Sequence, residues 1–315
     1  MRILLSLAAL LLLATFAPLR LYRDPPVPDE ARLWFDPVAL DAPIGGLAFL
    51  GGWALRSNDR RFGGISAIHV EDGEVLALSD RGVLLGFDLP LRQGARIRIR
   101  PLREVPGNPE DKRDRDTEAM AVRGDSIWVA FERRNSVWRY DRGTLRRAGS
   151  AAPEPMRDWF SNSGPEAMAR LGGDRFLVVS ERSRRGARFS EAVLFEGDPT
   201  RSSTRLAQIA IRRPQDYRVT DAARLPDGRI LLLHRRFSYF EGVSAKLTSL
   251  DEKDLKPGGF ASVSEVAHFP ASLKLDNFEG LSVTREDGRT ILWIATDDNF
   301  NAVQRTLLLK FALDD

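Results

Sequence analysis

The chain has 315 residues, 43% of them hydrophobic, which is enough to bury a full core, and it contains no cysteine. Disulfides, thiolate metal sites and cysteine nucleophiles are therefore excluded. Net charge is only +3, from 47 Lys+Arg against 44 Asp+Glu, so there is no basic block of the kind that holds nucleic acid, and no nucleic-acid partner is expected.

From the N-terminus, Arg2 precedes an uncharged run, Ile3 to Leu19, with the length and composition of a signal-peptide core. A cleavage site after Ala17 is followed by Pro18, and the run approaches the roughly 20 residues that span a bilayer. Residues 1–23 thus read as a signal peptide or an N-terminal membrane anchor, a hydrophobic helix in either case. Arg20 and Arg23 behind the run fit the positive-inside rule poorly. The expectation is export, with the protein periplasmic or anchored facing the periplasm. Residues 24–44 read as a Pro-rich linker and a first strand.

Five segments then share one pattern: a short strand, a tight turn, and a second, more apolar strand ending in charge. They begin at Gly63, Asp116, Gly164, Val219 and Asn277, and recur about every fifty residues. The turns "EDG", "RGD", "GGD", "PDG" and "EDG" carry residues that supply the backbone angles of hairpins. Further strands follow each hairpin, at Val83, Ser136, Glu191, Ser244 and Arg305, and nothing beyond residue 23 shows sustained helical periodicity. Residues 45–315 are therefore predicted to form an all-β β-propeller of five or six blades. The last repeat is short, so Gly45 to Ser57 is expected to complete it and fasten the ring. The run "RIRIR", Arg96 to Arg100, alternates as a half-solvated outer strand does. Trp128, Trp138 and Trp293 fall within strands and are expected to pack between blades.

In an antiparallel hairpin the start of the first strand lies beside the end of the second. Glu118, Glu166, Asp221 and Glu279 at strand starts, and Asp80, Glu132, Glu181, Asp297 and Asp298 at strand ends, are thereby predicted to meet at one mouth of the central channel. Arg81, Arg133, Arg182, Arg235 and Arg236 follow the second-strand acid position and reach the same mouth. Clustered carboxylates raise one another's pKa unless a cation sits among them, and hard oxygen donors suit calcium. Arginines beside such a cation, with planar forks that match carboxylate and phosphate, suit a small anionic ester. The arginine excess, 41 against six lysines, also arises from compositional bias alone. A structural alternative is that each acid pairs with a neighbouring blade's arginine and ties the ring together.

The "EAMA", "SDRG", "SER" and "NFEGLS…ATDDN" segments resemble those of the family named for esterase-like activity of phytase, exported bacterial propellers, over about Gly45 to the C-terminus. The resemblance implies a phytase-like β-propeller with an acidic, calcium-binding channel and a hydrolytic activity on phosphate or other esters. Taken with the charges read at the mouth, the calcium ligands are expected to be Asp80, Glu118, Glu132, Glu166, Glu181, Asp221, Glu279 and Asp297, with Arg81, Arg133, Arg182 and Arg236 on the substrate and His234, Arg133, Arg182 and Arg235 catalytic. Two departures from the shared pattern are Ile65 at the position of Glu118 in the first repeat, and His234 with Arg235 in place of the second-strand acid in the fourth.

Other chemistry is poorly served. No G-x-S-x-G elbow is present, Ser161 and Ser163 read as loop residues, and the three histidines His69, His234 and His268 lack zinc-site spacing. His234 falls at the charged mouth and is the candidate general base. A non-catalytic propeller that binds a ligand or protein partner is the competing functional expectation.

Overall fold

A computed structural model describes residues 30–40, 43–183 and 188–314. The predicted N-terminal signal or anchor helix lies outside the described residues. Five sheets make up the fold. Blade 1 runs from the innermost strand Ile65–Glu71 through Glu74–Ser79 and Val83–Asp88 to Arg98–Pro101. Blade 2 comprises Thr117–Arg123, Ser126–Phe131, Ser136–Asp141 and Arg147–Ala151, and blade 3 Pro165–Arg170, Phe176–Ser180, Phe189–Phe195 and Leu206–Arg212, with Phe260–Ala261 added in parallel at its edge. Blade 4 comprises Arg218–Arg224, Arg229–Ser238, Gly242–Asp251 and Ser264–Phe269.

Blade 5 closes the ring. Its strands Asn277–Glu286, Arg289–Asp297 and Thr306–Leu313 are extended by Leu47–Ser57, then Arg32–Pro37, then the short Ala95–Arg96. The predicted fastening is present, with Leu55 opposite Thr306 and Leu47 opposite Leu313, and Leu33–Ser57 joins this blade instead of forming a sixth. The propeller has five blades. The "RIRIR" run divides between two of them: Arg96 pairs with Arg32 at the edge of blade 5, while Arg98 and Arg100 pair along blade 1.

Neighbouring innermost strands touch in a closed cycle around the axis. Apolar side chains leave each sheet on both faces and fill five clusters, one at every blade boundary. Trp293 packs at the boundary of blades 5 and 1, Trp138 at that of 1 and 2, and Trp128 at that of 2 and 3, where it meets Phe176. Among the described residues helix is limited to 3₁₀ turns, and none is long and apolar enough to cross a membrane.

Candidate functional site at the charged mouth

Every innermost strand carries a one-residue bulge near its start. The register skips Ser66, Glu118, Glu166, Thr220 and Glu279, one residue per blade. A bulged residue leaves the ladder and its side chain is re-aimed. Four of the five, all but Thr220, line a single cavity of about 360 Å³ at the channel mouth. The next layer comes from the mouth end of each second strand, where Asp80, Glu132 and Glu181 directly follow the last paired residue and Arg235 and Asp297 are still paired, and all five line the same cavity. A repeated backbone bond sets three of these, with the amides of Asp80, Glu132 and Glu181 donating to the carbonyls of Gly64, Asp116 and Gly164.

Seven carboxylates therefore line the cavity together with three arginines, Arg182, Arg218 and Arg235. Asp80, Glu118, Glu132, Glu166, Glu181, Glu279 and Asp297 stand where the sequence predicted, and Asp221 does not. The bulge in blade 4 belongs to Thr220, so Asp221 turns the other way, and its carboxylate accepts the amides of Ala222 at 2.8 Å and Leu281 at 2.7 Å. The same one-residue displacement corrects blade 1, where Ser66 and not Ile65 occupies the position equivalent to Glu118. Asp298 also leaves the ring, because its Oδ1 accepts from the Gly64 and Phe300 amides and its Oδ2 from Thr306. Gly64 sits at φ +62, and a Cβ there would stand 2.2 Å from the Phe300 ring, so only glycine permits this seam between blades 5 and 1.

The ring is electrically lopsided. On one side Asp116, Glu118 and Glu132 bring carboxylate oxygens within 4.8 Å of one another. Among the described residues no ion pair reaches Glu118, Glu132 or Glu166, and Asp116 has only Arg133 at 3.9 Å. Burial, followed by the neighbouring charge of Asp116, pushes Glu132 up to about 8. Burial, with Asp116 and Glu132 beside it, holds Glu118 well above the usual carboxylate range, and burial next to Glu118 does the same to Glu166. Asp80 has one oxygen buried without a hydrogen-bond partner, the other 3.0 Å from the Lys112 ammonium.

On the opposite side the acids meet arginine. Arg235 lies 3.2 Å from Glu279 and 3.9 Å from Glu181, while Arg218 lies 3.1 Å and Arg182 3.5 Å from Glu181. Asn277 donates to Glu279 at 2.7 Å. Burial nevertheless raises Glu279 to about 8, against the pull of Arg235, and Asp297 to about 7.

The other predicted arginines lie outside the cavity. The Arg81 guanidinium stacks on Phe300, 3.4 Å from the ring centre; Arg133 stands exposed beyond Asp116; and Arg236 pairs with Glu241 at 3.0 Å. His234 is corrected most firmly. Alternation along the strand sends Arg235 to the cavity and its neighbour to the other face. The ring of His234 is wholly buried in blade 4, with Nε2 2.8 Å from the Thr248 hydroxyl, and burial drives its pKa down to about 3. It has no route to a substrate at the mouth. Sequence reasoning missed Asp116, Arg218, Asn277 and Asn299; the first stands two residues before Glu118 in the same quoted repeat, and the last adjoins "DD" in blade 5.

The donor set is suited to a hard cation: oxygens only, three of them convergent, and a buried oxygen of Asp80 with no protein partner nearby in the ring.

Comparison with known proteins gives a family and a likeness of fold. The phytase-like family model, described as "Esterase-like activity of phytase", matches residues 60–300. No curated protein matches the sequence. Among solved structures, the glutaminyl cyclase of Myxococcus xanthus superimposes with a TM-score of 0.49 at 10% identity, covering 85% of this chain and 96% of that one, a likeness too slight to carry chemistry across.

Proposed function

The chain belongs to the phytase-like family, and on that premise we propose that its charged mouth is a cation-assisted site that hydrolyses phosphate or carboxylic esters. The observation that carries this reading is the division of the ring: a carboxylate cluster touched by arginine only at Asp116, 3.9 Å from Arg133, on one side, and Arg235, Arg218 and Arg182 on the other. Asp116, Glu118 and Glu132, with Asp80 beside them, would hold the ion, and calcium fits such a set of carboxylate oxygens. A bound divalent ion supplies Lewis-acid polarisation of an ester oxygen. The arginines grip the anionic group through charge-assisted hydrogen bonds and orient it across the cavity. Their donors would also stabilise the charge that develops on the ester oxygen as water attacks. The apolar run from Ile3 to Leu19 supports export as part of the same reading, with the protein periplasmic or tethered facing the periplasm.

Calorimetry with calcium, followed by hydrolysis of p-nitrophenyl phosphate and p-nitrophenyl acetate with and without chelator, tests it. Calcium heat together with chelator-sensitive turnover is the expected result, and absence of both ends the proposal. A second reading, a non-catalytic propeller whose charges join blades, is favoured by one contact: Arg235 of blade 4 reaches Glu181 of blade 3 and Glu279 of blade 5. It predicts no calcium heat.

A further inference from the structure

Among the described residues the three most exposed large hydrophobic side chains share one face, while Phe260, 67% exposed, sits at the outer edge of blade 3; the three are Phe240 at 97%, Tyr239 at 90% and Val303 at 90%. All three lie on loops at the charged mouth. Tyr239 and Phe240 form the tip of the hairpin between Arg229–Ser238 and Gly242–Asp251, where Arg236 pairs with Ser244 and Phe237 with Val243. The innermost strand of blade 4 ends its pairing at Arg218 opposite Arg235, so this hairpin continues three residues further, roughly 10 Å beyond the rim. Phe237, 67% exposed, is part of the same projection. Burying such side chains in water-facing positions is normally favoured, and a clustered aromatic tip left in solvent marks an interaction surface.

The path of the N-terminal segment meets this face independently. Leu33 pairs with Ser57, and the Arg32 amide donates to the side chain of Asn58, which in turn donates to the carbonyl of Glu30. Ser57 is the mouth end of its strand, since Leu55 opposes Thr306 at the start of the last strand. The chain therefore enters the fold at the charged mouth. Upstream stand ten residues, from Arg20 to Asp29, including Pro25, Pro26 and Pro28, and before them the apolar run Ile3 to Leu19. A Pro-rich stretch of that length reaches at most about 30 Å. An apolar run held in a bilayer would tether the mouth edge of blade 5 within that reach of the lipid.

We propose that the charged mouth faces a lipid bilayer, with the Phe237–Phe240 hairpin seated in the headgroup region. Aromatic side chains are the ones that favour this layer, their rings in the acyl boundary and the Tyr239 hydroxyl among headgroups. The inference does not depend on ester chemistry and is tested without measuring it.

The absence of cysteine makes a single introduced thiol the only labelling site. The full chain carrying Phe240→Cys, labelled with an environment-sensitive nitrobenzoxadiazole dye, is incorporated into phosphatidylcholine–phosphatidylglycerol vesicles containing a doxyl-lipid quencher. A control carries Asp125→Cys, in an exposed turn at the opposite mouth. Blue-shifted, lipid-quenched emission from position 240 with water-like, unquenched emission from position 125 is expected. Quenching at both positions, at 125 alone, or at neither overturns the proposal, as does a blue shift at 240 that appears without vesicles and grows with protein concentration, which would assign the face to a second copy. A label at Val303→Cys is expected to lose its quenching when Tyr239→Ser and Phe240→Ser are combined; unchanged quenching there would also overturn the role given to the hairpin.

Discussion

The carboxylate of Asp221, on the innermost strand of blade 4, accepts the backbone amide of Leu281 on the innermost strand of blade 5 at 2.7 Å. Its second oxygen accepts from Ala222, so an acid that reads from sequence as a ligand is a seam between blades. Asp221→Ala leaves two amides without acceptors in a buried place, which is expected to cost about 2–4 kcal/mol. Denaturant unfolding should show that loss while calorimetry shows calcium affinity unchanged. A loss of calcium binding with stability intact would return Asp221 to the metal site.

Glu118 behaves in the opposite sense. It is recessed beside Asp116 and Glu132 with no ion pair, so its charge is a liability when no cation is present. Glu118→Gln is expected to raise the melting temperature of the metal-free protein by about 1–2 °C, the equivalent of about 1 kcal/mol in a chain of this size. The same variant should abolish both the stabilisation by calcium and any calcium-dependent hydrolysis. A fall in metal-free stability would instead favour the blade-tying reading.

Acid titration at the mouth has a definite sign. Glu132 and Glu279 at about 8 and Asp297 at about 7 lie above their unfolded values, so the folded chain holds more protons than the unfolded one between about pH 4.5 and 8. Their contribution to stability is complete at low pH and is lost as pH rises through that window. Metal-free protein should therefore melt at lower temperature at pH 8 than at pH 5, and saturating calcium should remove most of that difference. Melting curves at the two pH values with and without calcium check this.

Arg235 spans three blades. Arg235→Met strands Glu279 in a recessed site, while Glu181 keeps Arg218 and Arg182, and is expected to cost about 3–5 kcal/mol. Arg235→Lys keeps the charge without the fork, so stability should largely return while kcat/KM toward an anionic ester stays depressed, by about 10²-fold. Full recovery of kcat/KM with lysine would remove Arg235 from substrate binding.

His234 titrates inside blade 4. Its folded pKa of about 3 lies below the unfolded 6.5, so its neutral burial supports the fold above pH 6.5 and that support is lost as pH falls toward 3. Between those limits the wild type should lose stability relative to His234→Gln by about 1.4 kcal/mol per pH unit. The pH profile of hydrolysis should be the same for both, and a shifted profile would restore His234 as a base.

Much of the ring was legible because hairpin geometry is encoded locally. The turn residues fix where each first strand gives way to the second, and antiparallel pairing then brings distant acids to one mouth. The bulges are what the sequence concealed. Matching blades by their nearest acid is correct for Glu118, Glu166 and Glu279, and fails by one residue in blades 1 and 4, where Ser66 and Thr220 occupy the bulged site. A slip of one residue reverses the face of a strand, which is why Asp221 and His234 were both assigned to the cavity and both lie outside it. Arg218 was hidden differently: it belongs with the site only through Glu181 of the preceding blade, a contact that no spacing within its own repeat encodes.

The pairing of Leu47–Ser57 with Thr306–Leu313 sets a timetable for assembly. During synthesis Leu47–Ser57 can pair with Arg32–Pro37 at once, but its other side has no hydrogen-bonding neighbour until the last strand emerges, so the nascent chain carries an open edge through nearly its whole elongation. Such an edge recruits other chains, and a chaperone that shields it, or a circular permutant whose new ends fall within a blade-connecting loop, should shorten the exposure and raise the yield of refolding.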